Sequence, residues 1–235
     1  MNIAVIPARG GSKRIPKKNI IDFCGKPMIA WSIEAAIKSK CFKKIIISTD
    51  DDEIAAISRE YGADIILKRP KYLSDDFTGT TDVMEHAIQW YKNENKNEKI
   101  KNICCIYATA PFLSDEDLVE GLRLIEKLDY EYVFSATDYC FPIQRSFFIN
   151  NKNEIEMFYP EHFKTRSQDL TDAFHDAGQF YWGKVDSWLQ KKVIFTRHSK
   201  PIFLPLHRVQ DIDTYEDLKK AKLMFKAAQD ENLYN

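Results

Sequence analysis

The chain has 235 residues, a formal net charge of −1 at pH 7, 44% hydrophobic residues and 29% charged residues. This composition is ordinary for a globular domain, and a chain of this length buries roughly 70–75% of the surface that its unfolded form exposes. The balanced charge argues against a nucleic-acid or membrane-surface partner, because either would favour a broadly basic face.

The cysteines and the first residues exclude two further classes of protein. The five cysteines are odd in number and show no C-x-x-C spacing, which argues against a disulfide framework and against a zinc site. The apolar stretch after Met1 is interrupted by Arg9, too early for a signal peptide or a membrane span. We therefore expect a cytoplasmic protein with reduced thiols and no membrane anchor.

Short apolar runs, mostly rich in β-branched residues, alternate with helical patterns along the first half of the chain. Such continuous runs are typical of strands buried on both faces. Their order predicts an α/β fold with a Rossmann-like, mainly parallel sheet flanked by helices, and with ligand sites at the carboxyl ends of the strands. The predicted strands cover residues 3–8, 44–50, 64–70 and 102–108, and the predicted helices cover residues 26–39, 51–62, 81–94 and 114–129.

Polar residues at fixed spacings mark the ends of these helices. Asp82 with Glu85, and Ser114 with Asp117, have the spacing of an N-cap residue and the third residue of a helix. Gly62 predicts the end of the second helix.

The alternation changes after a fifth predicted strand at residues 132–138. Residues 139–176 predict an inserted, β-rich arm whose turn lies at residues 150–153. Strands at residues 177–183 and 200–207 and a last helix at residues 214–229 then complete the pattern. We predict a single domain over residues 1–235.

The loop after the first predicted strand carries a dense positive charge. Gly10 and Gly11 allow positive φ angles and a close approach of the backbone to a ligand, so that successive N–H groups can form an anion-binding nest. We therefore predict that the loop binds a polyanion. Its basic residues are Arg9, Lys13, Arg14, Lys17 and Lys18, and no acidic residue occurs between residues 3 and 21.

This loop differs from two familiar phosphate motifs, G-x-x-x-x-G-K-[ST] and G-x-G-x-x-G, which argues against a P-loop NTPase and a dinucleotide dehydrogenase. The stretch IPARGGSKRIPKKN at residues 6–19 resembles the signature of the cytidylyltransferases that activate nonulosonic acids, a family that includes the CMP-sialic acid synthetases. The resemblance implies a nucleotidyltransferase-type fold in which this loop binds the triphosphate of CTP and Asn19 orders the loop. The implied CTP-binding residues of the loop are Ala8, Arg9, Gly10, Gly11, Ser12, Lys13 and Lys18.

A second loop, RPKYLSDDFTGTTD at residues 69–82, resembles the RP..L..D loop of the same family. The resemblance implies that Arg69, Asp76 and Thr80 contact the cytidine. A loop that ends in an ordinary helix N-cap at residues 80–82 would explain the same pattern.

The stretch YATAPF at residues 107–112 corresponds to Q-P-T-S-P in the sialic-acid branch of the family. Tyr107 stands at the position of the glutamine, and this difference argues against sialic acid itself as the substrate. The resemblance implies that Tyr107 and Thr109 contact the acid sugar. A strand end followed by a turn proline at Pro111 is the alternative.

RSQDL at residues 166–170 lies near the end of the predicted arm and resembles the same stretch of the family. DAGQFYW at residues 176–182 resembles the pseudaminic acid branch more than the sialic branch. The resemblance implies that Arg166 lies near the carboxylate of the sugar, a group that the planar guanidinium suits. Gln168 and Gln179 are candidates for further polar contacts to the sugar. Each of the three could equally be an ordinary surface or strand residue.

The stretch QDIDTYED at residues 210–217 contains the strongest metal signal. Asp211 and Asp213 lie two residues apart, so on an extended segment both carboxylates point to the same side, and such oxygen ligands suit Mg²⁺. Acidic residues before a helix are the alternative explanation. The family resemblance implies that these two aspartates bind magnesium.

The residues and the resemblance together predict a cytidylyltransferase that transfers CMP from CTP to the anomeric hydroxyl of a nonulosonic acid, with pseudaminic acid favoured. Arg9, Lys13, Lys18, Asp211 and Asp213 are the implied catalytic residues, and by analogy the arm pairs two chains into a homodimer. The alternatives are a CMP-sialic or CMP-legionaminic acid synthetase, another sugar nucleotidylyltransferase, and a nucleotide-binding module without catalysis.

Overall fold

A computed structural model describes residues 1–230 of the chain. Its strands, in chain order, are β1 (Asn2–Pro7), β2 (Asp22–Phe23), β3 (Lys26–Pro27), β4 (Lys44–Thr49), β5 (Ile65–Lys68), β6 (Asn102–Ile106), β7 (Tyr132–Asp138), β8 (Phe147–Ile149), β9 (Ile155–Met157), β10 (Phe174–Lys184) and β11 (Ser199–Phe203). Its α-helices are α1 (Met28–Ser39), α2 (Asp52–Glu60), α3 (Thr80–Glu94), α4 (Asp115–Lys127), α5 (Val185–Leu189) and α6 (Tyr215–Asp230).

The central sheet has seven strands in the order β11-β7-β10-β6-β1-β4-β5. β10 runs antiparallel to β6 and β7, and the other neighbouring pairs are parallel. The predicted mainly parallel sheet is therefore confirmed.

The order of the strands reverses next to β1. β4 and β5 add to one side of β1, and β6 adds to the other side. In open α/β sheets, ligands bind in the crevice that such a reversal leaves at the carboxyl ends of the strands. The basic loop after β1 and the loop after β6 both start at this crevice.

Helices cover both faces of the sheet. Successive side chains of β1 point to opposite faces, and the apolar side chains on both faces are buried. Ala4 and Ile6 pack in one buried cluster with residues of α1, α2 and α4. Ile3 and Val5 pack on the other face with residues of α3 and α5.

A third apolar cluster lies under α6 and joins segments that are far apart in the chain. It contains Phe225 of α6, Ile15 of the basic loop, Phe112 of the loop after β6, and Ile212 of the acidic segment. The backbones of the basic and acidic segments are therefore anchored in the same core.

Two of the predicted helix ends are confirmed. Ser114 and Asp117 form a capping box at the start of α4, and Gly62 follows the end of α2 with a φ of 96°. The prediction of Asp82 as an N-cap is wrong, because α3 begins at Thr80 with Gly79 before it. Asp82 instead forms an ion pair with Lys191, at 2.6 Å, from the first turn of α3.

The region predicted as an arm contains an antiparallel hairpin of β8 and β9. Its apolar side chains are exposed, including Phe147 at 57% and Ile155 at 68%. The last predicted arm residues, 174–176, pair with β7 in the central sheet, so β10 begins inside the predicted range. Across residues 1–230, none of the helices has the length and apolar character needed to span a membrane.

Candidate active site

A cavity of about 580 Å³ opens where β1 and β6 end. Basic side chains from the first loop line it together with Arg69, Tyr107 and Asp213. A larger cavity, of about 790 Å³, lies at the amino end of β6 around Lys99 and Asn102, but none of the predicted site residues lines it. The strand-order reversal and the predicted residues both favour the smaller cavity.

Asp76 is the internal partner of two cations in this cavity. It forms an ion pair with Lys13 and another with Arg9, whose Nη1 lies 2.7 Å from Asp76 Oδ1. Hydrogen bonds from Lys13 and Arg9 hold the pKa of Asp76 below its usual value. The carboxylate therefore occupies a position at which these cations could contact a bound anion.

Asp213 is the internal partner of two further cations. Arg14 Nη2 lies 2.6 Å from Asp213 Oδ2, and Lys18 Nζ lies 3.0 Å from Asp213 Oδ1. Lys18 also donates a hydrogen bond to the carbonyl of Ile212, at 2.7 Å. Arg14 belongs to the predicted basic loop but is not among the predicted site residues, and its place in that run of basic residues is the signal for it.

Asp211 is exposed beside the cavity and does not line it. Ile212 is buried between the two aspartates, which leaves both carboxylates on the solvent side of the segment. Partial desolvation of its carboxyl group, followed by the negative charge of Asp213, raises the pKa of Asp211. Two nearby carboxylates with unfavourable mutual repulsion form a donor set that a divalent cation would stabilise.

The explanation for the paired glycines is different from the predicted one, because neither Gly10 nor Gly11 adopts a positive φ. A Cβ atom on Gly10 would lie 2.7 Å from Asp51 Oδ2, so the loop needs glycine there to pack against the start of α2. The Gly10 N–H donates to Asp50 Oδ1 at 2.9 Å, and the Ser12 N–H donates to the Gly10 carbonyl at 3.0 Å. The amides of Gly10 and Ser12 are therefore already used inside the protein.

The remaining loop residues hold its backbone in place. Ala8 is buried, and its N–H donates to the carbonyl of Ser48 at 2.9 Å. Asn19 is also buried, and its Nδ2 donates to the carbonyl of Arg9 at 2.9 Å. These contacts fix the base of the loop while its long cationic side chains reach the cavity.

Arg69 is a buried cation in the cavity wall. Its Nε donates to Ser48 Oγ at 3.1 Å and its Nη2 donates to the Ser48 carbonyl at 2.6 Å. Burial lowers the pKa of Arg69 to about 10, and Asp50 partly opposes this shift. No carboxylate within residues 1–230 forms an ion pair with Arg69, which leaves its charge available to a ligand in the cavity.

Tyr107, Thr80 and Thr109 line the cavity at the end of β6. The hydroxyl oxygens of Thr80 and Tyr107 lie 3.3 Å apart, and burial raises the pKa of the Tyr107 phenol. This wall is therefore uncharged and rich in hydroxyl groups, unlike the wall that the basic loop forms.

Three predicted sugar-binding residues do not line the cavity of their own chain. Arg166 is exposed on the arm, where its Nε lies 2.6 Å from Asp169 Oδ2, and Gln168 is exposed in the short 3₁₀ helix (Ser167–Asp169) that follows it. Gln179 is buried, and its Nε2 donates to the carbonyl of Arg208 at 2.6 Å.

Comparison with known proteins identifies the family. The family model described as cytidylyltransferase matches residues 3–233. The chain belongs to the cytidylyltransferase family. It is therefore a nucleotidyltransferase. Its fold places the basic loop where the strand order of the central sheet reverses.

Individual relatives cover almost the whole chain. The pseudaminic acid cytidylyltransferase of Campylobacter jejuni is 45% identical over 96% of each chain. The CMP-N,N'-diacetyllegionaminic acid synthase of Legionella pneumophila is 30% identical over 90% of each chain. The solved structure of CMP:2-keto-3-deoxy-manno-octonic acid synthetase, complexed with CTP, shares the fold with a TM-score of 0.68, at 16% identity over 96% of this chain and 98% of that one.

Asp76→Asn should increase the affinity of the cavity for inorganic tripolyphosphate by roughly three- to tenfold. The substitution frees Arg9 and Lys13 from partly exposed, weak ion pairs, so that both cations can contact the anion. Isothermal titration calorimetry at fixed ionic strength measures the change.

Glu53→Gln is the matched control for this experiment, because Glu53 pairs with Lys17 and does not line the cavity. It removes the same charge and should leave the affinity unchanged. An equal gain in both variants, or a loss in Asp76→Asn, would contradict the assignment of Asp76 as the internal counterion.

Proposed function

We propose that the protein transfers CMP from CTP to the anomeric hydroxyl of pseudaminic acid and releases pyrophosphate. The observation that carries this proposal is the meeting of the basic loop and Asp213 in one cavity, although Lys18 and Asp213 are far apart in the chain. The choice of sugar is supported by the 45% identity to the Campylobacter jejuni pseudaminic acid cytidylyltransferase.

In the proposed reaction the triphosphate of CTP takes the place of internal carboxylates. Arg9 and Lys13 exchange Asp76 for phosphate oxygens, and Arg69 adds a desolvated positive charge. These cations stabilise the charge that develops on the transferred phosphoryl group and on the pyrophosphate leaving group. The sugar hydroxyl displaces pyrophosphate directly, without a covalent intermediate on the protein.

Asp211 and Asp213 fit the requirements of a magnesium site. Mg²⁺ is commonly bound by one or two carboxylates together with substrate phosphates, and the described residues contain no cluster of three acidic, histidine or cysteine ligands. We propose that these two aspartates hold Mg²⁺. The ion would neutralise phosphate charge and lower the pKa of a coordinated hydroxyl.

We propose that the sugar carboxylate is bound by Arg166 of a second copy of the chain. Arg166 lies on the arm and does not line its own cavity. The β8–β9 hairpin exposes Phe147, Ile149 and Ile155, and burying such side chains favours association. A homodimer formed through the arm would cover this apolar surface and could bring each Arg166 to the partner's cavity.

We further propose a cytoplasmic location. The support is the five free cysteines, two of which, Cys104 and Cys105, are fully buried next to each other in β6. A reducing compartment keeps such thiols free.

The purified protein, with CTP and Mg²⁺, should release pyrophosphate fastest with pseudaminic acid. The panel also contains N-acetylneuraminic acid, a legionaminic acid and 3-deoxy-manno-octulosonate, and we expect kcat/KM at least about tenfold lower for each, since one misplaced group costs roughly 10–200-fold. A reaction without acid sugar is the blank. A higher kcat/KM with a legionaminic acid would reassign the sugar, and tight CTP binding without turnover of any sugar would indicate a nucleotide-binding module.

Asp211→Asn and Asp213→Asn should each lower kcat by at least about a hundredfold at saturating Mg²⁺. Either change removes one of the two carboxylates that would hold Mg²⁺. A bound metal ion stabilises the charge of such a transition state by several kcal/mol. Glu216→Gln, which removes an exposed acid from the first turn of α6, should keep wild-type activity. Normal rates for both aspartate variants would eliminate the proposed metal site.

Mixing two inactive variants tests the shared site. In a heterodimer of Arg166→Ala with Asp213→Asn, one cavity has its own Asp213 and receives Arg166 from the partner. Co-expression should therefore restore about a quarter of wild-type activity, because half of the dimers are mixed and half of their cavities are complete. Light scattering after size exclusion should give twice the mass of the chain, and a mixture as inactive as its components would show that Arg166 does not act across the interface.

A further inference from the structure

Arg208 and Asp117 form the most deeply buried ion pair in the part of the chain that the structure describes. Their side chains are 13% and 12% exposed, whereas every other ion pair within residues 1–230 joins more exposed side chains. Neither residue lines the cavity. Because desolvation offsets much of the attraction, a buried pair contributes little net stability, and in some proteins it instead specifies one arrangement of the segments that it joins.

Arg208 joins the acidic segment, residues 209–213, to the start of α4. It ends a short 3₁₀ helix, three residues before Asp211. Its Nη2 contacts Asp117 Oδ2 and also donates to the carbonyl of Phe112 at 3.1 Å. Asp117 is itself held in place, because it belongs to the capping box of α4. The planar guanidinium group therefore has two fixed partners, and it cannot rotate without losing them.

Gln179 of β10 holds the backbone of the same arginine. Gln179 is only 3% exposed, and its Nε2 donates to the carbonyl of Arg208 at 2.6 Å. The carbonyl of Gln179 accepts a hydrogen bond from the N–H of Tyr107 at 2.9 Å, which continues the ladder between β10 and β6. Arg208 is therefore attached to α4 through its guanidinium group and to the central sheet through its carbonyl.

The acidic segment has no helix or strand of its own, so no backbone ladder fixes its two aspartates. Ile212 is buried in the cluster under α6 and anchors the end of the segment. Arg208 anchors its beginning. Two residues separate Arg208 from Asp211, and three steps of extended chain span at most about 11 Å. A displacement of Arg208 would therefore move the carboxylate of Asp211.

Magnesium is sensitive to such displacements. The ion demands near-ideal octahedral geometry with oxygen ligands at about 2.0–2.1 Å. Residues that do not contact a metal ion but orient its ligands typically change the metal affinity about 10–100-fold when they are substituted. The anchors of the acidic segment therefore have a measurable consequence for a metal ion that binds there.

We propose that Gln179, Arg208 and Asp117 are positioning residues that hold the acidic segment where Asp211 and Asp213 share one Mg²⁺. The inference rests on the proposed function, because it takes the two aspartates as the magnesium ligands. It gives Gln179 a role in the metal site instead of the predicted contact to the acid sugar. The hydrogen bond of Gln179 to Arg208, and its position outside the lining of the cavity, favour this role.

Gln179→Met keeps the length of the side chain and removes the hydrogen bond to Arg208. In isothermal titration calorimetry without acid sugar, we expect the affinity for CTP in the presence of Mg²⁺ to fall about tenfold. The affinity for CTP measured in EDTA should stay at the wild-type value. In turnover assays, the Mg²⁺ concentration that gives half of the maximal rate should rise by a similar factor, while KM for the acid sugar at saturating Mg²⁺ stays unchanged.

Asn102→Leu is the matched control. Asn102 is a buried amide, 2% exposed, and its Nδ2 donates to Asn2 Oδ1 at 3.2 Å at the amino end of β6. Its loss should change neither the Mg²⁺ dependence nor KM for the acid sugar. If Gln179→Met weakens CTP equally with and without Mg²⁺, or raises KM for the acid sugar at normal Mg²⁺ dependence, the inference is overturned.

Arg208→Lys tests the other anchor independently of the first variant. Lysine keeps the charge beside Asp117 but lacks the planar fork that also reaches Phe112. We expect the same selective loss of CTP affinity in the presence of Mg²⁺. Arg123→Lys, which changes an exposed pair with Glu120 on α4, should cause no such loss. Normal Mg²⁺ dependence in Arg208→Lys would also overturn the inference.

The proposed function and this inference fail in different ways. A wild-type protein whose affinity for CTP does not respond to Mg²⁺ would defeat the proposed metal site and the inference together. A wild-type protein that responds to Mg²⁺, with unaltered responses in Gln179→Met and Arg208→Lys, would defeat the inference alone. A protein that turns over no acid sugar would defeat the proposed reaction, and the calorimetric comparison would still decide the inference.

Discussion

Ile15 and Ile212 are both buried in the apolar cluster under α6, and this cluster brings Arg14 and Lys18 of the basic loop to Asp213. Ile15 lies between Arg14 and the two lysines of the basic loop, and Ile212 lies between Asp211 and Asp213. Two fully buried isoleucines are worth roughly 1.5–3 kcal/mol each, more than the partly exposed ion pairs nearby. Hydrophobic burial therefore brings the opposite charges together, and the ion pairs then adjust locally.

The internal pairing of the cavity explains how a cluster of cations persists in a protein that is almost neutral overall. Arg9 and Lys13 share Asp76, and Arg14 and Lys18 share Asp213. All of these pairs are partly exposed, so each is weak and can be exchanged for a stronger anion. Arg69 differs because its charge is buried, and across residues 1–230 its side chain donates hydrogen bonds to Ser48 and forms no ion pair. A polyphosphate in the cavity could replace Asp76 as the partner of Arg9 and Lys13, and would also meet the buried charge of Arg69.

The sequence was informative wherever a local pattern determines the structure. Runs such as residues 44–50 are β-branched and continuous, and the capping box at Ser114 needs only neighbours within one turn. The prediction of a positive φ at Gly10 is wrong, because glycine is needed there for the close approach of Asp51, which precedes α2. Asp82 has the right spacing for a cap, yet α3 starts earlier. Contacts across the fold decide such cases, and one sequence does not contain them.

The reversal of β10 is the feature that sequence periodicity was least able to reveal, and it links the arm to the uncharged wall of the cavity. The N–H of Tyr139 donates to the carbonyl of Ala173 at 3.1 Å, and Phe174 pairs with Asp138, so the base of the arm continues the ladder of β7 and β10. The same strand then forms the bulge at Asp176 and reaches Tyr181 beside Tyr107. One strand therefore carries both the base of the arm and the Tyr181 ring that packs beside Tyr107. The basic loop depends on β1 and on the cluster under α6 instead, so the arm and the basic loop are held by different parts of the fold.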